Sequence, residues 1–325
     1  MLGRTHEKES IKKIMPLRNI TNRKKEAKKY KDTSNLNFSE TEDAIYRLRE
    51  LDDSRDVTMY YEYAEMVFIF FKKLETEYLL KNNFMNIQKE IGWSERCLLV
   101  DWIIEVHWKL GLVPETLYHT VYIMDKLLSL RVVSTEKLQL LGITCLLISS
   151  KYEEVVCPSI ETFVILSEKT ISEEEIRKAE RYVLSVLDFQ LNYPSPLNFL
   201  RKCSKANNYE YKTRMVAKYL MELTFFYPQF RSISGSLVSA SSMFLSRKIL
   251  EMNENENIFF FYSGYSKKDV QSCANEIFSI ILQPIMYENV QKKYSSSKML
   301  KVSNFIKDFS KEYLKNSNIN SIKLL

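Results

Sequence analysis

"LLGITCLLISSK" (residues 140–151) and "LVSASSMFLSRK" (residues 237–248) lie 97 positions apart and follow one pattern. Leucine opens both, lysine closes both, Ser149 matches Ser246, and small or apolar residues fill nearly every place between. From Leu138 to Ile148 only Gln139 and Thr144 interrupt the apolar run. A helix apolar on all sides belongs at the centre of a bundle, and its return at a fixed offset marks a duplicated unit.

The punctuation around each copy supplies the rest of the bundle. Ser94 opens a helix that Gly111 stops, and Pro114 followed by Glu115 begins the next. Ser134 opens the third helix and Pro158 follows its end. A short helix is expected over 159–167, and Ser172 with Glu175 forms an S-x-x-E start for the fifth. After Pro194 and Pro196 the same count recurs over 196–206, 210–226, 234–250, 256–262 and 266–283. The aromatic stretch "VTMYYEYAEMVFIFFKKLETEYL" (57–79) reads as a helix ahead of both copies. The expected fold is therefore all-α: tandem five-helix repeats preceded by an N-terminal helix. The segments are a disordered basic tail over 1–40, a helical region over 41–92, repeats over 93–192 and 193–290, and an extension over 291–325.

Composition agrees. Six glycines and seven prolines in 325 residues are too few for many short strands. Twenty tyrosines and eighteen phenylalanines supply large groups for cores and interfaces. The net charge of +6 suggests nucleic acid, yet residues 1–35 hold eleven Lys/Arg against four acids and leave the remainder near −1. Five scattered cysteines fit a reducing compartment. No apolar leader opens the chain and no apolar run reaches the roughly 18 residues of a membrane span, so a soluble intracellular protein is expected, without a membrane partner.

Catalytic constellations are hard to find. His107 and His119 sit on different helices with no second ligand at zinc spacing, and His6 is in the tail. No phosphate-cradling glycine loop occurs. Glu153/Glu154 and Glu173/Glu174/Glu175 lie at helix ends, where solvation or helix-start electrostatics explains them. No catalytic residue, metal or cofactor is expected. The run "NRKKEAKK" (22–29), with Arg23, Lys24, Lys25, Lys28 and Lys29, suits loose nucleic-acid binding, nuclear import or plain solubilisation.

The end of the first apolar helix poses a sharper question. "LLISSKYEEVV" (146–156) delivers Lys151, Tyr152, Glu153 and Glu154 at the end of a segment with no solvent-facing side. A cation at a helix C-terminus gains a few tenths to about 1 kcal/mol from the macrodipole. That accounts for Lys151 and Lys248 alike.

The surrounding residues add a second account. "ERCLLVDWIIEVHWKLGLVPETLYHTVYIMDKLLSL" and "KLQLLGITCLLISSKYEEV" resemble the first cyclin box of a mitotic, B-type cyclin. "FLRKCSK" (199–205) and "AKYLMELT" (217–224) resemble the start of the second box, and "KKYSSSKMLKVSNF" (292–305) its C-terminal end. The resemblance runs from about residue 58 to 305. It implies a regulatory subunit that binds and activates a cyclin-dependent serine/threonine kinase as a heterodimer at the G2/M transition. Five family-defining positions are present: Arg96, Asp125, Leu140, Lys151 and Glu180. The resemblance assigns kinase binding to Lys151 and Glu180, with Tyr152 as a neighbouring aromatic anchor, and internal support of the box to Arg96, Asp125 and Leu140. The aromatic helix over 60–79 would be a second kinase contact, against the alternative of packing on its own box.

The resemblance also implies a cleft for R-x-L substrates or inhibitors, built from Leu98, Leu99, Trp102, Glu105 and Gln139. Glu95 stands where the family has methionine. In the tail, Leu17, Ile20 and Asn22 fit part of a destruction box read by a mitotic ubiquitin ligase, but Ile14 replaces the expected arginine. Nucleus and cytoplasm are the expected locations. The rival readings are a two-box transcription factor that binds promoter DNA through a basic face, and an all-α enzyme.

Overall fold

The computed structural model describes residues 39–80, 84–252, 255–284 and 286–317. They form two compact units, one ending at Ile69 and one beginning at Phe70. Fourteen α-helices and no strand occur among the described residues.

The first unit holds α1 (Glu40–Arg55) and the start of α2 (Tyr61–Tyr78), a helix that continues across the division. Ser39 caps α1: its hydroxyl accepts from the Glu42 amide at 3.3 Å, and the Glu42 carboxylate accepts from the Ser39 amide at 3.0 Å. Tyr60, Tyr63 and Val67 remain exposed.

In the second unit the first repeat comprises α3 (Trp93–Leu110), α4 (Pro114–Leu128), α5 (Leu138–Glu153), α6 (Ile160–Leu166) and α7 (Glu173–Val186). The second comprises α8 (Pro196–Ser204), α9 (Tyr211–Leu223), α10 (Gly235–Ile249), α11 (Glu256–Ser263) and α12 (Lys267–Ile281). Helices α5 and α10 begin 97 residues apart, and each packs against the other four of its set. Every residue from Leu141 to Ser150 is buried, as an all-round apolar helix requires. Two helix starts differ from the sequence expectation. Gly92 rather than Ser94 caps α3, and a 3₁₀ turn over Thr135–Lys137 precedes α5, so Ser134 opens the turn instead.

Close approach explains the small residues on the hubs. A Cβ on Gly142 would sit 2.7 Å from Leu99 Cδ1 of α3. Ser239, the matching position on α10, donates to Pro196 O of α8 at 2.6 Å. The two hubs thus receive their first helices at the same place. Gly111 ends α3 with φ +66°, a left-handed cap that glycine takes without strain.

The rest of α2 packs onto both repeats. Phe71 meets Phe199 edge-on with ring centroids 6.3 Å apart, and Tyr78 meets Tyr122 at 6.0 Å. Buried Glu75 accepts from the Ser236 hydroxyl at 2.5 Å and from its amide at 3.1 Å. Beyond the second repeat, α13 (Glu288–Ser295) lies against α3 and α9, and α14 (Val302–Ser317) packs on α9, α12 and α13. The buried Glu222 carboxylate anchors this extension, accepting from Lys293 Nζ at 2.7 and 2.8 Å and from the Tyr294 hydroxyl at 2.7 Å.

Candidate functional site

The three charges at the end of α5 have separate roles. Lys151 Nζ donates to Glu180 Oε1 of α7 at 2.5 Å, with the lysine side chain 49% exposed and the glutamate 15%. Glu154 turns the other way. Its Oε1 accepts from the Val113 amide at 2.8 Å and the Thr116 hydroxyl at 2.5 Å, which caps the start of α4. Glu153 is half-buried, and burial, with Glu115 and Glu154 nearby, raises its pKa. Glu154 therefore serves helix-start electrostatics, but of the neighbouring helix rather than its own.

Around Lys151 the surface is apolar. Tyr152 is 52% exposed with its ring 4.9 Å from that of His119, and Val155 and Val156 lie open just past the helix end. On α7, Tyr182 is also exposed, but two residues from Glu180 it lies on another face of that helix. Exposed aliphatic and aromatic side chains beside an ion pair are the composition of an interface core with a polar handle. Val155, Val156 and Tyr182 were not singled out from the sequence, where single apolar residues beside a helix end carry no signal.

Arg96 and Asp125 form a fully buried fork. Arg96 donates through Nε and Nη2 to the two carboxylate oxygens at 2.6 and 2.7 Å, and through Nη1 to Phe225 O at 2.7 Å. The last bond crosses to the second repeat. Burial opposes the guanidinium charge, but Asp125 outweighs it and the pKa is raised. Leu140 packs partly buried against the α5–α6–α7 core.

The expected docking cleft is divided. Leu98 is 65% exposed on α3, whereas Leu99 is 6% exposed and turned onto Gly142, so Leu99 belongs to the core. Trp102 is half-buried against the core cluster, Gln139 is exposed, and Glu105 pairs with Lys109 at 2.6 Å. Glu95 folds back on its own helix start. It accepts from the Gly92 amide at 2.7 Å and the Ser94 hydroxyl at 2.8 Å, contacts that lower its pKa. It acts as a cap of α3.

His107 and His119 are structural. Their Nε2 atoms lie 2.8 Å from Val113 O and Leu191 O, and burial lowers the pKa of His107 to about 3 and of His119 to about 4. Among the described residues no group of three His, Cys, Asp or Glu could hold a metal ion, and no helix is long and apolar enough to cross a membrane. Leu17, Ile20, Asn22 and the basic run from Arg23 to Lys29 lie outside the described residues.

Two adjoining family models match: the cyclin N-terminal domain over residues 66–192 and the cyclin C-terminal domain over 194–308. The chain belongs to the cyclin family. This cyclin is 42% identical to the G2/mitotic-specific cyclin cdc13 of Schizosaccharomyces pombe over 263 residues, covering 81% of the chain and 55% of that protein. It is 40% identical to the G2/mitotic-specific cyclin cig2 of the same yeast, covering 80% of the chain and 64% of that relative. The chain thus spans little more than half the length of the first of these. Among solved structures, a viral cyclin from herpesvirus saimiri matches with a TM-score of 0.55 at 19% identity, covering 71% of this chain and 97% of that one. That likeness supports the two-box fold alone.

Proposed function

We propose that this cyclin is a non-catalytic subunit that binds a cyclin-dependent serine/threonine kinase and activates it at the G2/M transition. The observation that carries the proposal is the Lys151–Glu180 pair, held between α5 and α7 with exposed Tyr152, Val155 and Val156 adjoining the lysine in the chain. A lysine offers only donors and a carboxylate only acceptors, so together they can engage both kinds of backbone group on a partner loop. The exposed aromatic start of α2 is a second contact, while the remainder of that helix packs on the boxes.

Activation needs no chemistry from this chain. Kinase catalysis requires a lysine–glutamate pair whose glutamate rides on a mobile helix. A partner that binds only the helix-in arrangement shifts the population by its differential affinity, and about 5.5 kcal/mol moves it from 1:99 to 99:1. R-x-L ligands would dock at Leu98, Trp102, Glu105 and Gln139. Nuclear and cytoplasmic residence, import through the basic run, and destruction-box turnover by a mitotic ubiquitin ligase complete the proposal. The matches to mitotic cyclins favour this reading over promoter binding. Mixing the full chain with purified cyclin-dependent kinases tests it: a stable complex with raised phosphotransfer is expected. Failure to bind any of them, or DNA binding in their place, would overturn it.

A further inference from the structure

Between the two boxes lies a partly open pocket of about 60 Å³. Its wall includes Glu75 of α2, Tyr118, Tyr122 and Asp125 of α4, Tyr193 of the linker, and Arg231 from the turn before α10. Both carboxylates are already engaged. Glu75 holds Ser236 and lies 3.4 Å from Lys72 Nζ, and Asp125 holds Arg96. Three polar groups on the same wall are not. Arg231 Nε and the hydroxyls of Tyr118 and Tyr122 are buried and make no hydrogen bond, with the tyrosines only 3% and 7% exposed.

Charge is unbalanced in the same direction. Arg231 Nη1 stands 3.7 Å from Asp125, a carboxylate whose two oxygens Arg96 already holds, so two guanidinium groups share one buried carboxylate. Burial lowers the Arg231 pKa, Asp125 offsets this only in part, and Arg96 lowers it further. Water would satisfy the hydroxyls and Nε but leave the charge; an anion satisfies both.

We propose that this cavity binds a small carboxylate anion, which accepts from Arg231 Nε and the Tyr118 and Tyr122 hydroxyls and so joins α4 of the first box to the turn before α10 in the second. The site is independent of the kinase-binding surface. Thermal melting of the full chain against sodium acetate tests it, with sodium chloride at equal ionic strength and with acetamide as the neutral isostere. A saturable rise in Tm with acetate alone is expected. Tyr122→Phe, which removes one oxygen, weakens the acetate midpoint about tenfold, and Arg231→Gln abolishes the response. An acetate effect no larger than that of chloride overturns the proposal. So does an equal response to acetamide, or a parental midpoint in Tyr122→Phe. If Arg231→Gln does not fold, Tyr122→Phe and Tyr118→Phe carry the test alone.

Discussion

Replacing Lys151 and Glu180 together by alanine separates the binding role of this pair from any structural one. In the free chain the lysine is half-exposed, and pairs of this kind contribute about 0–1 kcal/mol. The double variant should therefore melt within about 3 °C of the parent. In the complex each group would make charge-assisted hydrogen bonds worth about 1.5–3 kcal/mol. Because the two act as one unit their losses do not add fully, and a combined loss of about 3 kcal/mol is expected, near 100-fold in Kd. Calorimetric titration of the full chain into a purified cyclin-dependent kinase reads the affinity, and phosphotransfer at matched occupancy reads activation. The single variants should differ. Lys151→Ala strands Glu180, which is only 15% exposed, whereas Glu180→Ala leaves a lysine that can reach water. Lys151→Ala is therefore the more destabilising of the two. A double variant that melts normally and binds within threefold of the parent refutes the reasoning. A fall in Tm of more than about 8 °C would make the pair structural instead.

The other predictions follow from buried contacts. Arg96→Ala removes both close hydrogen bonds to buried Asp125, leaving it only Arg231 at 3.7 Å, and should cost about 3–5 kcal/mol in urea unfolding; a loss below 1 would contradict the described fork. Tyr294→Phe removes one of the three hydrogen bonds to buried Glu222 and should cost about 1.5–3 kcal/mol, showing that α13 belongs to the folded unit; an unchanged urea midpoint would contradict this. His107 and His119 are held neutral in the fold, so the unfolded chain binds more protons below pH 6.5, and stability falls as pH drops toward their folded values. At pH 5 this amounts to about 2 kcal/mol each relative to pH 7.5, and His107→Gln should flatten the urea-midpoint profile. Leu98→Ala should weaken an R-x-L peptide in fluorescence anisotropy without moving Tm, because Leu98 faces water; unchanged peptide affinity would exclude it from the cleft.

Legibility in the sequence tracked the range of the physics. The hub helices were readable because burial on every side imposes an unbroken apolar run, which appears in both copies at one offset. The capping boxes and proline starts were readable because their partners lie within four residues. Contacts across long separations left no such trace. Glu154 capping α4, Arg96 reaching Phe225, and Lys293 and Tyr294 holding Glu222 each join residues 38 to 129 positions apart. The packing of the extension beyond the second box therefore left no local signal, although Val302 and Ile306 are buried. Leu99 was misassigned for a related reason. Its spacing from Trp102 fits a shared face, but the space that Gly142 leaves on α5 draws it inward.

The same contrast answers the question posed by the end of α5. A buried helix must release its last carbonyls and charges where its neighbours stop covering it. Two of the three charges are then used inside the box: Glu154 caps α4, and Glu153 is half-withdrawn from water with its charge disfavoured. Lys151 is the most exposed of the three, and it arrives already oriented by Glu180 from a different helix. The macrodipole favours any cation at that end but specifies no partner carboxylate on α7. Lys248 gives the comparison within this one chain. At the matching end of α10 it pairs with Glu256 at 2.6 Å, but both side chains are mostly buried, at 21% and 28% exposure. The duplicated fold thus supplies the same lysine twice, and only the first copy leaves it half-open beside exposed tyrosine and valine.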